Sequence, residues 1–165
     1  MSGREILVRG ARESDIDAVL AIERVSFADP WDRDSFELAL DPTRMLFLVA
    51  EEPATAVREQ DDSARPALLG YGIALLLLDE GEVADLAVAP DARGRGVGAR
   101  LLDALTLAAH STGVRSMYLE VRESNVRART LYASRSFAPV GRRRGYYRNP
   151  TEDALLLRRD LAQVM

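Results

Sequence analysis

The stretch Arg93-Gly94-Arg95-Gly96-Val97-Gly98 concentrates the residue types from which an anion site is made. It follows an apolar run, Val83 to Val88, that reads as a strand, with a Pro90-Asp91 turn between the two. The segment behind it, Gly98 to Thr112, has a helical period: Leu101, Leu102, Leu105, Ala108 and Ala109 fall on one face. Three glycines and two arginines therefore sit where a strand gives way to a helix N-terminus. Free backbone N–H groups and the positive end of the helix dipole bind anions at such a junction. The glycines let the main chain approach a phosphate closely, and Arg93 and Arg95 add charge.

Several phosphate ligands are compatible with this arrangement. A mononucleotide P-loop is excluded, because it needs Gly-Lys-Ser/Thr and all 22 basic residues of this chain are arginine. The dinucleotide fingerprint G-x-G-x-x-G/A is formally met by Gly94, Gly96 and Ala99, with Glu120 ending the next strand where a ribose-binding acid is expected. Against it, Ala89 to Arg93 separate the strand from the glycines, and little chain follows Glu120 to build a second half. A third pattern, Arg/Gln-x-x-Gly-x-Gly/Ala, is that of an acyl-CoA loop and is matched by Arg93, Gly96 and Gly98. A glycine-rich turn with solvated arginines is the remaining alternative.

The elements that must position this loop follow from composition and period. At 165 residues the chain is expected to form one domain spanning 1–165, and 47% hydrophobic residues suffice for a core. A net charge of −4 argues against a general nucleic-acid binder. There is no cysteine, so disulfides, thiolate metal sites and a cysteine nucleophile are excluded. The single histidine, His110, reads as a cation in the last turn of the helix behind the glycine loop. Acid–base chemistry falls to Glu, Asp, Tyr or the substrate. The longest apolar run, Ile73 to Leu78, is too short to span a bilayer, and no segment resembles a signal peptide; a cytoplasmic location and no membrane partner are expected.

Along the chain, Ile6 and Val8 mark a first strand, and Ser14-Asp15-Ile16-Asp17 resembles a capping box that opens a helix fading near Phe27. Asp29-Pro30-Trp31-Asp32 makes a turn into a second helix, Asp32 to Leu40. Trp31 either plugs the gap between these helices or faces a substrate. Met45 to Ala50 reads as a strand, Glu51 to Ala67 as an extended hairpin loop, and Leu68 to Leu78 as a strand buried on both faces. Glu80-Gly81 is expected to turn into strand Glu82–Val88. Arg115 to Arg122 alternates cleanly, with Met117, Leu119 and Val121 opposite Tyr118, Glu120 and Arg122. Ser124 or Asn125 caps a helix to about Ser136, and Phe137 starts a strand. The basic, aromatic stretch Gly141 to Pro150 reads as a hairpin tip before a last strand, Ala154 to Leu161. The order β-α-α-β-β-β-α-β-α-β-β belongs to the α/β class.

The glycine loop together with Leu119-Glu120-Val121-Arg122, Ser124-Asn125, Leu131-Tyr132 and Phe137 resembles the GCN5-related N-acetyltransferase (GNAT) superfamily over nearly the whole chain. Phe27 with Pro30-Trp31, and Arg143 to Tyr147 with Pro150 and Glu152-Asp153-Ala154, resemble its RimI-like branch, the ribosomal-protein alanine N-acetyltransferases. Two departures stand out: Ser136 occupies a position usually held by Gly, where φ is expected to be positive, and the Glu51–Ala67 loop is long.

The resemblance implies a mixed, mostly antiparallel twisted sheet of about seven strands flanked by about four helices and splayed between its central strands. It implies acetyl-CoA as co-substrate and no metal. The pantetheine arm would pair with backbone of Leu86, Ala87 and Val88, the pyrophosphate would sit on Arg93, Gly94, Arg95, Gly96, Val97, Gly98 and Ala99, and Asn125 would touch the cofactor or merely cap its helix. Glu120 resembles the general base, Tyr132 the proton donor to the leaving thiolate, and the Val88 N–H the oxyanion donor. Read without the resemblance, Glu120 is an exposed strand carboxylate and Tyr132 a core aromatic. The implied partner is the N-terminus of a small-subunit ribosomal protein, with oligomeric state open and monomer allowed. Trp31, Tyr146 and Tyr147 are expected to contact it, with Asp29, Asp32, Asp34, Glu37, Glu152 and Asp153 drawing a basic tail into a groove. Other protein N-termini or a small amine as acceptor, and a non-catalytic CoA or dinucleotide module, are the alternatives.

Overall fold

The two strands that flank the Leu78-Asp79 corner form the middle of a seven-stranded sheet. The computed structural model describes residues 4–53 and 66–161. Its strands are β1 (Leu7–Gly10), β2 (Met45–Glu52), β3 (Ala67–Leu77), β4 (Glu80–Val88), β5 (Ser116–Arg122), β6 (Ala138–Tyr147) and β7 (Glu152–Asp160), in the order β1-β2-β3-β4-β5-β7-β6. All neighbours are antiparallel except β4 and β5, which are parallel. Helices α1 (Ile16–Ser26), α2 (Arg33–Ala39), α3 (Val97–Ser111) and α4 (Val126–Ser134) flank it. The fold is therefore the mixed, mostly antiparallel α/β arrangement expected.

Alternation along the strands sorts the two faces. Tyr71 and Ile73 of β3 pack with Phe47 and Val49 under Ile16, Val19 and Leu20 of α1 and Phe36 of α2. The intervening Gly70 and Gly72 face α3, where a Cβ would meet Leu101 and Leu105 at 3.2 and 2.8 Å. Those two glycines let α3 lie close against the sheet. On that face Leu102, Leu105 and Ala109 pack on Met117, Leu119, Val121, Leu155 and Leu157, with Tyr132 and Phe137 completing the cluster. Beneath α2 the rings of Trp31, Phe36, Phe47 and Tyr71 stack at centroid separations of 5.4 to 6.4 Å. Each such ring pair contributes about 0.5–1.5 kcal/mol beyond its buried area.

Several boundaries differ from the sequence reading, each for a local reason. Ser14 does not cap α1; a 3-10 turn over Glu13–Asp15 precedes the helix, and Asp15 accepts the Arg12 N–H at 2.7 Å and both Arg9 guanidinium nitrogens at 2.8 and 2.9 Å. Asp32 does cap α2, accepting the Ser35 N–H at 2.9 Å. Glu51, Glu52 and Ala67, assigned to a loop, pair as strand, and the rest of that expected loop, 54–65, lies outside the described residues. Glu80-Gly81 begins β4 instead of turning. The stretch 141–147 forms the body of β6, and the corner moves to 148–151, which contains a cis Asn149-Pro150 bond. β3 is buried on both faces only from Leu69 to Ala74; Leu75 and Leu77 emerge where α1 and α2 no longer cover the sheet. Ser136 has φ +67°, the left-handed conformation suggested by its place.

The parallel β4–β5 ladder runs only from Glu80↔Ser116 to Val83↔Leu119. Beyond it Asp85 to Val88 pair with β3 alone, and Glu120 to Arg122 with β7 alone. The two central strands therefore part, as the resemblance implied.

The β3–β4 corner carries an avoidable cost. Leu78 is 91% exposed with φ +57°, a conformation that costs a side-chain-bearing residue about 1–2 kcal/mol. Leu78→Gly is expected to raise stability by about 1 kcal/mol, or about 2–4 °C in Tm. Thermal unfolding checks this, and an unchanged or lower Tm contradicts it.

Candidate active site

The parted strands, the glycine loop and α4 enclose a cavity of about 560 Å³. The loop's geometry explains its sequence. Gly94 and Gly96 have φ of +79° and +80° and open space where a Cβ would stand. Gly96 is the residue before α3, and the first intrahelical bond runs from the Arg100 N–H to the Gly96 oxygen at 3.1 Å. The N–H groups of Val97, Gly98 and Ala99 thus stand at the positive end of a 15-residue helix without an intrahelical acceptor.

Leu86, Ala87, Val88, Arg93, Gly94, Gly96, Val97, Gly98, Ala99, Asn125 and Tyr132 all line this cavity. Arg95 does not; its guanidinium turns to Glu52 of β2, 3.5 Å away. Arg127, which the sequence reading passed over, brings a second arginine to the lining, and Ser26 and Phe27 close it from the end of α1. Asn125 has both expected placements: its Oδ1 accepts the Ala128 N–H at 3.1 Å, capping α4, and it borders the cavity.

Tyr132 projects from α4 and is 8% exposed, its ring edge-on to Phe137 at 6.0 Å. Burial pushes its hydroxyl pKa up, so it stays a proton donor through the neutral range.

Glu120 lines a second cavity, of about 330 Å³, with Leu75, Leu77, Glu80, Glu82, Tyr118, Arg143 and Leu156. Leu119 and Val121 face α3, so Tyr118 and Glu120 face the opposite side of the sheet. Glu120 and Tyr132 therefore line two different cavities. The Arg143 Nε lies 2.6 Å from Glu120 Oε1, and the Tyr146 hydroxyl donates to the same carboxylate, which raises the tyrosine pKa. Burial, followed by the charge of Glu120, raises the pKa of Glu82 and pushes the Tyr147 hydroxyl up to about 12.

The aromatic pair expected to contact a substrate is held in place by the β6–β7 corner. Tyr146 and Tyr147 meet edge-to-face at 5.1 Å. The Arg122 guanidinium sits 4.4 Å from the Tyr147 ring centroid and donates to the Arg148 and Pro150 oxygens at 2.8 and 3.0 Å. Glu152 and Asp153, expected to attract a basic tail, are instead tied down. Glu152 accepts the Ser124 N–H and hydroxyl at 2.6 and 2.9 Å, and Asp153 accepts the Gly145 N–H and Arg142 at 2.9 Å each. Asp32 is likewise engaged as a cap. Trp31 lines neither cavity; its ring packs on Phe36, the plug alternative. Two of the three β6 arginines find acids within the chain: Arg143 on Glu120, and Arg142 on Glu123 and Asp153.

The sequence reading also missed Asp85, the one acid inside the apolar run Val83 to Val88. The signal was its place in that run. Burial, then a hydrogen bond with Glu23, raises its pKa far above the carboxylate range. The folded state thus holds a proton that the unfolded chain releases near pH 4, and stability falls as pH rises from there towards the raised value. Asp85→Asn removes this titration. Its Tm relative to the unmodified chain is expected to be more favourable at about pH 8 than at about pH 5; a gap that is constant or shrinks with pH contradicts the assignment.

The comparisons with known proteins agree with this architecture. The model of the Acetyltransferase (GNAT) family matches residues 16–137. A relative from Bacillus subtilis (strain 168) is 33% identical over 152 residues, which cover 91% of this chain and 92% of the relative. The [ribosomal protein bS18]-alanine N-acetyltransferase of Escherichia coli (strain K12) is 30% identical over 148 residues, covering 87% and 90%. The crystal structure of the ribosomal-protein-S18-alanine N-acetyltransferase from Escherichia coli superposes with a TM-score of 0.80 at 26% identity, over 98% of this chain and 97% of that one. With its loop, its parted strands and a family match over most of its length, the chain belongs to the GNAT acetyltransferases and is RimI-like among them.

Proposed function

We propose that this protein moves an acetyl group from acetyl-CoA to the α-amine of the N-terminal alanine of ribosomal protein bS18, by direct attack in a ternary complex. The observation that carries the reading is the pair of cavities, one bordered by the parted stretch of β4, the α3 N-terminus and Tyr132, the other by Glu120 where the β4–β5 ladder ends. The names of the relatives supply the acceptor.

Acetyl-CoA supplies the activated acyl group as a thioester. On this reading the α3 N-terminus, Arg93 and Arg127 hold the pyrophosphate, and the unpaired edge of β4 from Leu86 to Val88 receives the pantetheine arm as a strand would. With no cysteine in the chain, an acetyl-cysteine intermediate is impossible. The acceptor enters from the Glu120 side, where Leu75, Leu77, Tyr118 and Leu156 offer apolar contact and Glu80 and Glu82 face a cationic peptide. An α-amine has a pKa of about 8 and must lose a proton before attack. Glu120 takes that proton, directly or through water; the Val88 N–H meets the developing oxyanion; Tyr132 protonates the departing thiolate. Tyr146 and Tyr147 flank Glu120 and wall the acceptor side, while Trp31 acts from behind by fixing α1 to α2.

The test is intact-mass analysis of peptides incubated with acetyl-CoA. A peptide with the N-terminal sequence of bS18 is expected to gain one acetyl group on its α-amine; modification only of lysine side chains or of small amines favours the broader acetyltransferase alternative. Glu120→Gln and Tyr132→Phe are each expected to lower kcat about 10²–10⁴-fold while CoA affinity changes little. Retention of near wild-type turnover in both variants contradicts the acid–base assignment. Gly96→Glu is expected to abolish CoA binding measured by calorimetry, because a side chain and a negative charge would enter the pyrophosphate cradle; undiminished binding contradicts that location.

A further inference from the structure

Beneath the parted strands lies a carboxyl pair for which the reaction outlined above has no use. Glu23 of α1 is 1% exposed and Asp85 of β4 is 9% exposed. Glu23 is fully engaged. Its Oε1 accepts the Trp31 N–H at 3.0 Å, its Oε2 accepts the Tyr71 hydroxyl, and Asp85 hydrogen-bonds to it as well. Asp85 is only half engaged. Among the described residues its Oδ2 is buried and meets no hydrogen-bond partner. An unsatisfied buried acceptor is destabilising, and a hydrophobic residue at this strand position would avoid the cost.

The position of Asp85 connects it to the reaction. The last β4–β5 pair is Val83↔Leu119, so Asp85 stands just past the point where the strands separate. On its other side it pairs with Ile73 of β3, and the next residues, Leu86 and Ala87, border the acetyl-donor cavity. Its partners Glu23 and Tyr71 belong to the α1 side of the sheet, the side Glu120 faces from β5. Asp85 thus occupies the β4 side of the gap, with Glu120 on the β5 side.

We propose that Asp85 Oδ2 accepts a hydrogen bond from the acceptor's α-amine as the amine passes between β4 and β5, and that the bond to Glu23 fixes the carboxyl for this task. The inference rests on the acetyl-transfer reading above. An acceptor on each strand holds two N–H groups of a primary amine, which leaves the nitrogen lone pair to face the thioester. Glu23 is a positioning residue: it touches Asp85, Tyr71 and the Trp31 backbone, and keeps the carboxyl from turning.

The experiment uses the full chain with acetyl-CoA and an alanine-initiated peptide bearing the bS18 N-terminal sequence. Asp85→Leu and Asp85→Ala remove the acceptor oxygen, and whichever variant keeps a cooperative thermal transition is measured. The peptide KM is expected to rise about 10-fold, the equivalent of about 1.4 kcal/mol, while the acetyl-CoA KM stays within about 2-fold. Asp85→Asn keeps an oxygen for the amine and an N–H for Glu23, and is expected to recover most of the peptide KM. A merely structural role raises both KM values together and lowers Tm in step. An unchanged peptide KM in the Leu or Ala variant, a parallel rise in the acetyl-CoA KM, or an Asn variant as impaired as the Leu variant each overturns the inference. An unmodified chain that leaves the peptide unacetylated removes the function reading and the inference with it; an active chain with an indifferent Leu variant removes the inference alone.

Discussion

Everything chemical in this fold depends on a sheet ladder that stops. β4 and β5 pair for four residues, then diverge, so that each continues with a single neighbour. Backbone N–H and C=O groups inside a protein demand partners, and an unpaired strand edge at the centre of a sheet is a site for an extended ligand. One cavity lies beside the α3 N-terminus, where the strands have parted, and a second lies beside Glu120. The glycine loop matters because it aims that helix N-terminus at the first cavity, and α4 matters because it carries Tyr132 there.

Charge differs between the two cavities. Two of the three β6 arginines are committed to acids of the chain, with Arg143 on Glu120 and Arg142 on Glu123 and Asp153. Glu152 and Arg122 lock the β6–β7 corner against the start of α4, which steadies Tyr147 beside the acidic side of the gap. Positive charge at the donor cavity comes from Arg93, Arg127 and the helix terminus, whereas the acceptor cavity presents Glu80, Glu82 and Glu120. The two cavities are thus of opposite character, which suits a polyanionic acyl donor in one and a cationic amine in the other.

Much of this was legible in the sequence because it rests on local rules. Hydrophobic period found α1, α3 and the alternation of β5, and the Arg93–Gly98 pattern found the helix terminus. Ser136, flagged because glycine is usual there, adopts a positive φ. What was not legible depends on long-range contacts. Nothing near Arg95 says that its side chain turns to Glu52, 43 residues away in sequence. The acids Glu152 and Asp153 looked free because their partners, Ser124, Gly145 and Arg142, come together only through the β5–β7 and β6–β7 pairings. Asp85 was overlooked because its significance comes from where the β4–β5 ladder ends.

The central claim is that donor and acceptor meet through the gap from opposite sides of the sheet. A conjugate in which the CoA sulfur is joined through an acetyl bridge to the α-amine of an alanine-initiated peptide spans both cavities at once. Calorimetric titration of the chain with this conjugate and with CoA alone measures the claim directly. Simultaneous occupation predicts affinity for the conjugate at least about 10²-fold above that for CoA, in line with linked binding events. A conjugate that binds no more tightly than CoA contradicts a continuous passage between the Tyr132 and Glu120 cavities.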